Sequence, residues 1–185
     1  QIDPVMAWAE NGKYYPVPNR DKIIKQMPHL RKKYPRYRPY NGATIDQVFS
    51  QQELDESLQL EAKIFATSIF INNGNGSFTQ QELPADAQVA PVHEFAVEDV
   101  NNDGKLDILL VGNNYGMQVE SGRIAAGTGL VLLNQGSNNF KPMKSIASGF
   151  WADGDTRDLA PITINGKKHY LVAVNDAALK VVKLK

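Results

Sequence analysis

Four side chains carrying oxygen recur at alternating positions in the stretch Phe95 to Asn113, FAVEDVNNDGKLDILLVGN. Asp99, Asn101, Asp103 and Asp107 take positions one, three, five and nine of a loop, and Gly104 takes position six. Alternate side chains of a tight loop can turn toward one centre, and the Lys105 carbonyl offers a further oxygen. A glycine at position six allows the sharp turn that such wrapping needs. A set of oxygens alone suits a hard cation, and the spacing points to Ca2+. The competing reading is an Asp- and Asn-rich turn that holds its own backbone. Three carboxylates drawn within ~4 Å of one another repel by several kcal/mol per pair in a medium of intermediate dielectric. A turn that needs only positive φ has no use for all three. Bound in the extracellular range of affinity, a millimolar ion contributes on the order of 1–2 kcal/mol, so its role is to pin one loop.

The other candidate chemistry is sparser. Asp153, Asp155 and Asp158 surround Arg157 in WADGDTRD. They can form a salt-bridged turn, which is the first reading, or hold a second cation, or act as an acid/base pair. Trp8, Tyr14 and Trp151 are candidates for stacking on a sugar ring; packing on a neighbouring strand is the competing reading. His29, His93 and His169 are scattered and read as structural. No H-E-x-x-H, G-x-S-x-G or G-x-x-x-x-G-K-[ST] pattern occurs, so no catalytic residue is assigned. Residues 29–40 interleave Arg31, Lys32, Lys33, Arg36 and Arg38 with Tyr34, Tyr37 and Tyr40. Such a pattern can grip an anionic strand or glycan, but a solvated connector that balances the acidic run at residues 46–61 is the simpler reading. Nucleic acid is therefore not expected as a partner.

Bulk properties bound these readings. The 185 residues suffice for one domain with a real core. Hydrophobic content of 42% and charged content of 22% fit a folded chain rather than a disordered one. The formal net charge of zero gives no global pull toward polyanions. Cysteine is absent, which excludes disulfides and thiolate metal sites. No apolar run reaches the ~18 residues of a membrane span. The sequence contains no signal-peptide pattern and opens on Gln rather than Met, so a processed chain or a piece of a longer one is the expectation.

The elements that must position the loop follow from periodicity. Asn11-Gly12 between apolar runs predicts a hairpin. Residues 19–62 read as helical: Asn19 can cap a helix carrying Ile23 and Ile24, and Pro28 suits the start of another. Thr44 to Gln47 and Ser50 to Glu53 match the capping box. The second box predicts a helix to about Glu61 that buries Leu54 and Leu58. From Lys63 the period is that of strands, with Ile64 and Phe65 opening an apolar run that continues at Ile69 to Ile71. Leu106 to Val111 is continuously apolar and predicts a strand buried on both faces. Leu130 to Leu133, Ile162 to Ile164, His169 to Val174 and Leu179 to Leu184 are further strands, with Asn165-Gly166 as a second tight turn. SIFINNGNGSFTQQELP and LVLLNQGSNNFKPM share one pattern of apolar strand, Asn/Gly turn, Phe and polar tail. They read as one supersecondary unit used twice.

The order strand, Asn-x-Gly-x-Gly-x-Phe turn, strand, Asp-x-Asn-x-Asp-Gly-x-x-Asp, apolar strand, Gly-Asn resembles the FG-GAP/VCBS repeats of β-propellers, the class to which integrin α-subunit propellers belong. The chain also looks like the C-terminal part of a large VCBS-repeat protein of the ASPIC/UnbV, cartilage-acidic-protein-like group found on the surface of Bacteroidetes. The stretches that carry this likeness are Arg20-Asp21 through Lys33-Tyr34, Ala43-Thr44 through Phe49, Phe95 through Arg123, and Gly149-Phe150 with Gly154-Asp155. The resemblance implies Ca2+ held by Asp99, Asn101, Asp103, the Lys105 carbonyl and Asp107. It departs from an EF-hand, because position twelve is Leu110 rather than Glu and a strand follows.

The expectation is a mainly β fold, a partial β-propeller of two to three four-stranded blades with a helical insertion near residues 19–62. Residues 1–185 then form one unit, a C-terminal piece of a larger propeller, with blades over residues 63–185. A closed propeller needs more blades than this length supplies, so the implied partners are the remainder of a propeller or another chain. The implied function is a non-catalytic, calcium-stabilised extracellular or outer-surface module that binds protein or glycan, accessory to an outer-membrane nutrient-uptake system. The rivals are a glycoside hydrolase or lyase using the carboxylates of Asp153 to Asp158, and a purely structural subunit of an uptake complex.

Overall fold

Asn-Gly pairs set the first local structure and one of the last. The structure is a computed structural model describing residues 3–119 and 121–185; Gln1, Ile2 and Glu120 lie outside the described residues. Strands β1 (Ala7–Glu10) and β2 (Lys13–Pro16) pair antiparallel around Asn11 and Gly12, at φ 51° and 73°. Positive φ at both central residues defines the type I′ turn, whose twist matches the strands it joins. The chain divides into two compact units, residues 1–62 and residues 63–185.

In the first unit, the hairpin precedes five short helices: α1 (Arg20–Gln26), α2 (Leu30–Lys33), α3 (Tyr37–Tyr40), α4 (Ile45–Val48) and α5 (Gln51–Asp55). Asn19 caps α1 by accepting the Lys22 N–H at 3.0 Å. Both capping boxes form, Thr44 with Gln47 and Ser50 with Glu53. The serine bonds hold the Glu53 carboxyl below the usual carboxylate range. Ile23, Ile24, Leu30, Tyr34, Tyr40, Val48 and Phe49 make the core.

Two expectations fail just beyond it. The last helix stops at Asp55 rather than near Glu61, and Leu58 is 84% exposed. The Leu54 carbonyl ends it, accepting the Ser57 N–H, the Ser57 hydroxyl and the Gln59 amide. A capping box starts a helix, but length comes from an apolar face with something to cover. Ile64 and Phe65 likewise belong to no strand and stay exposed.

The second unit holds β3 (Ser68–Asn72), β4 (Phe78–Glu82), β5 (Val92–Glu98), β6 (Asp107–Gly112), β7 (Leu130–Asn134), β8 (Phe140–Met143), β9 (Thr156–Ile164), β10 (Lys167–Val174) and β11 (Lys180–Val182). They form three antiparallel sheets, ordered β3-β4, β5-β6-β7-β8 and β11-β10-β9. A 3-10 turn at Ala85–Gln88 and the helix α6 (Ser145–Ser148) each lead from a hairpin into the next sheet. Over the described residues the protein is mainly β, 34% strand and 18% helix. Among the described residues one sheet has four strands, against the expected two to three four-stranded blades, and none closes into a barrel.

All six residues of β6 are buried. The reason is a two-sided core. Leu109 and Val111 join Ala96, Val131, Phe150, Leu159, Tyr170 and Val172 between the four-stranded and three-stranded sheets. Ile108 and Leu110 join Leu132, Leu83 and Ala87 on the other face, beneath the β3–β4 hairpin. Each such aliphatic side chain is worth ~1.5–3 kcal/mol of burial, so β6 is the anchor on which the candidate loop is mounted.

Candidate functional site

The loop between β5 and β6 spends its side-chain oxygens on its own amides. Asp99 accepts the N–H groups of Asp103 at 3.1 Å and Gly104 at 2.9 Å. Asn101 also accepts the Asp103 N–H, at 3.1 Å, and donates its amide to Asp103 at 3.2 Å. Asp103 accepts the Lys105 N–H at 2.9 Å and takes the Lys105 ammonium at 3.2 Å. The backbone bond from Lys105 is the main reason its carboxyl sits below the ordinary aspartate value. Asn102 at φ 60° and Gly104 at φ 81° supply the left-handed turns that bring these groups together.

Asp107 behaves differently. It is fully buried at the root of β6, accepting the Val100 N–H at 3.0 Å and the Asn134 N–H at 2.8 Å. One carboxylate thus ties the start of the loop to the end of β7. The donor set is all oxygen and in the order a hard cation uses. As arranged, however, the carboxylates do not converge: no three His, Cys, Asp or Glu side chains among the described residues are grouped to hold a metal ion.

The second acidic group is also dispersed. Asp155 is 3% exposed and accepts from Arg157 at 2.8 Å, from the Asn175 amide at 3.1 Å and from the Tyr115 N–H at 3.3 Å. The Arg157 bond holds its carboxyl below the ordinary range. Asp153 pairs with Lys180 instead, which lowers its carboxyl as well. Asp158 lies inside β9 and accepts the Leu159 N–H at 2.7 Å. Neither Asp153 nor Asp155 has the raised pKa that a general acid uses.

Aromatic candidates separate by face. Trp8 stacks on Tyr15 across the β1–β2 pair, centroids 4.9 Å apart, and is 47% exposed. Tyr14 is adjacent in sequence, so it points to the opposite face of the ribbon, where it is 53% exposed. Trp151 is 55% exposed in the second unit. Trp8 and Tyr15 help line a cleft of about 260 Å³ in the first unit, together with Arg20, Tyr37, Tyr40 and Asn41. In the basic-tyrosine segment, Tyr34 and Tyr40 are core residues whose hydroxyls donate to the Gln47 and Pro18 carbonyls. Burial pushes both phenols up. Arg31, Lys32, Arg36 and Arg38 remain exposed.

Asn113 was visible in the sequence only as the second half of a Gly-Asn pair. It is fully buried at φ 135°, a conformation that strains any residue with a Cβ. Its amide donates to the carbonyls of Gly127 at 2.8 Å and Gly154 at 2.7 Å and accepts the Gly127 N–H at 2.8 Å. His93, extruded at a bulge in β5, donates Nε2–H to the Asn113 carbonyl at 2.6 Å. A polar residue next to a glycine at a strand end, after a buried run, is the signal that could have found it.

Comparison with curated proteins returns no match, and comparison with solved structures returns none. The FG-GAP-like repeat family matches residues 66–110, from the start of β3 through the Asp99–Asp107 loop into β6.

Proposed function

We propose that the protein is a non-catalytic, calcium-stabilised module of the extracellular or outer cell surface that binds a protein or glycan partner. The FG-GAP-like repeat over residues 66–110 carries this reading, because such repeats are typical of extracellular domains. Asp99, Asn101, Asp103, the Lys105 carbonyl and Asp107 would hold the ion, and Ca2+ would supply charge neutralisation that stiffens the loop. Ca2+ takes a flexible shell of six to eight oxygens, and binding would require Asp99, Asn101 and Asp103 to turn from the loop amides toward the ion. A partial propeller accessory to an outer-membrane uptake system is the fuller form of this proposal. No helix among the described residues is long and apolar enough to cross a membrane.

Recognition of a glycan is favoured by the cleft beside Trp8. An exposed indole stacked on a second ring, in a cleft also lined by Arg20 and Asn41, offers a flat apolar face near polar groups. Titration of the full chain with a panel of neutral and acidic oligosaccharides tests it. Binding weakened at least tenfold by Trp8→Ala, and indifferent to Asp155→Asn with Asp158→Asn, supports a binding module. Release of reducing ends that disappears in the double aspartate variant would instead make the protein a carbohydrate-active enzyme.

A further inference from the structure

The two hairpins of the repeated pattern superimpose in sequence without a gap, Ser68 on Leu130 through Phe78 on Phe140. Their turns use the same bonds. Asn72 accepts the Gly74 N–H at 2.8 Å, as Asn134 accepts the Gly136 N–H at 2.9 Å. Asn73 N–H donates to the Ser77 carbonyl, as Gln135 N–H donates to Asn139. Beyond each hairpin comes a single helical turn and then a strand pair, β5–β6 after the first and β9–β10 after the second. The unit is therefore hairpin, turn, strand pair.

The sheets are built half a unit out of step with this repeat. The four-stranded sheet joins the strand pair of the first unit to the hairpin of the second, through Ile108↔Leu132, Leu109↔Val131 and Leu110↔Leu130. In that setting Leu132 is fully buried and Val131 nearly so. The equivalent edge of β3 pairs with no strand among the described residues. Phe70, the counterpart of Leu132, is 56% exposed, and Phe78, the counterpart of Phe140, is 61% exposed. Ile69, by contrast, packs inward on the core shared with β6 and β7. One face of the hairpin is thus satisfied within the unit, while its edge and its Phe face are not.

We infer that the open edge of β3 is a β-augmentation site that takes a strand of the β6 type from another polypeptide segment. The occupant's chemistry is read from β6 itself: an aspartate, four apolar residues, then glycine. The aspartate is required because Asp107 accepts the Asn134 N–H, and Asn72 stands in the place of Asn134. The apolar run is required because Phe70 replaces Leu132, a residue covered on both sides. Main-chain bonds supply affinity and the alternate side chains supply register. This inference names the partner surface of the binding module proposed above and rests on that reading; it does not depend on the cation.

The test uses the full chain and a synthetic peptide of residues 103–113, DGKLDILLVGN, with hydrogen exchange as readout. Saturable binding with protection confined to Ser68–Asn72 is expected, together with at least tenfold weaker binding by Phe70→Lys, whose melting temperature should match the parent. Absence of saturable binding overturns the inference, as does protection confined to the β8 or β11 edge. Protection of β3 that grows with protein concentration and without peptide makes a second copy the occupant, and also overturns it. A peptide failure with oligosaccharide binding intact removes only the β3 site; loss of both removes the binding-module reading as well.

Discussion

Asn113 shows how one residue closes a sheet end. Its side-chain amide joins the loop at Gly127 to the loop at Gly154, and its backbone N–H reaches the Pro91 carbonyl at 3.1 Å. Asn113→Ala leaves the Gly127 carbonyl and N–H without partners in a buried site, while the Gly154 carbonyl keeps the Thr156 N–H at 2.9 Å. A cost of about 3 kcal/mol is expected, read as a lower urea midpoint with an unchanged slope. Asp155 adds a pH dependence. Its folded pKa is depressed by Arg157, so the unfolded chain takes up the proton first as pH falls. The stability it contributes is complete above the unfolded value of about 4 and is lost as pH drops through the lower folded value. Asp103 and Asp153 act in the same direction. Urea midpoints measured from neutral pH down to about pH 3 should therefore fall less steeply for Asp155→Asn than for the parent. The oxygens of the Asp99–Asp107 loop were legible in the sequence because their spacing is local. The pairing of Asp155 with Arg157 was legible for the same reason. The partners of Asn113, and the Asn175 amide on Asp155, were not, because Gly127, Gly154 and Asn175 arrive only through the fold.

At the scale of elements, turn chemistry and capping were readable, and lengths were not. Asn11-Gly12 and Asn165-Gly166 gave the expected hairpins, each closed by a two-residue turn with both residues left-handed. The continuous apolar run into Val111 gave a strand buried on both faces. Leu58 and Phe65 misled, because an apolar residue implies burial only where a neighbouring surface exists to receive it. Gly112 marks a constraint that no periodicity reveals: a Cβ there would stand 1.8 Å from the Pro91 carbonyl oxygen. Gly112→Ala should push β5 from β6 where they meet at Val92. An expected loss of more than 2 kcal/mol would appear as a lower melting temperature and as faster amide exchange through β5, with the first unit unaffected.

At the scale of the whole molecule, the predominance of strand was legible from the switch to strand period at Lys63, while the sheet sizes were not. Repeat and sheet are out of step, so counting repeats in the sequence miscounts strands per sheet. The same offset places the Asp99–Asp107 loop at a joint, since Asp107 belongs to one repeat and Asn134, its partner, to the next. An ion held in that loop would stiffen the junction on which the four-stranded sheet depends. Thermal melting of the full chain with millimolar Ca2+ and with excess chelator tests this most directly. A melting temperature about 3–6 °C higher with Ca2+ is expected, with no difference in Asp103→Ala. Identical melting of the parent chain in Ca2+ and in chelator would contradict it.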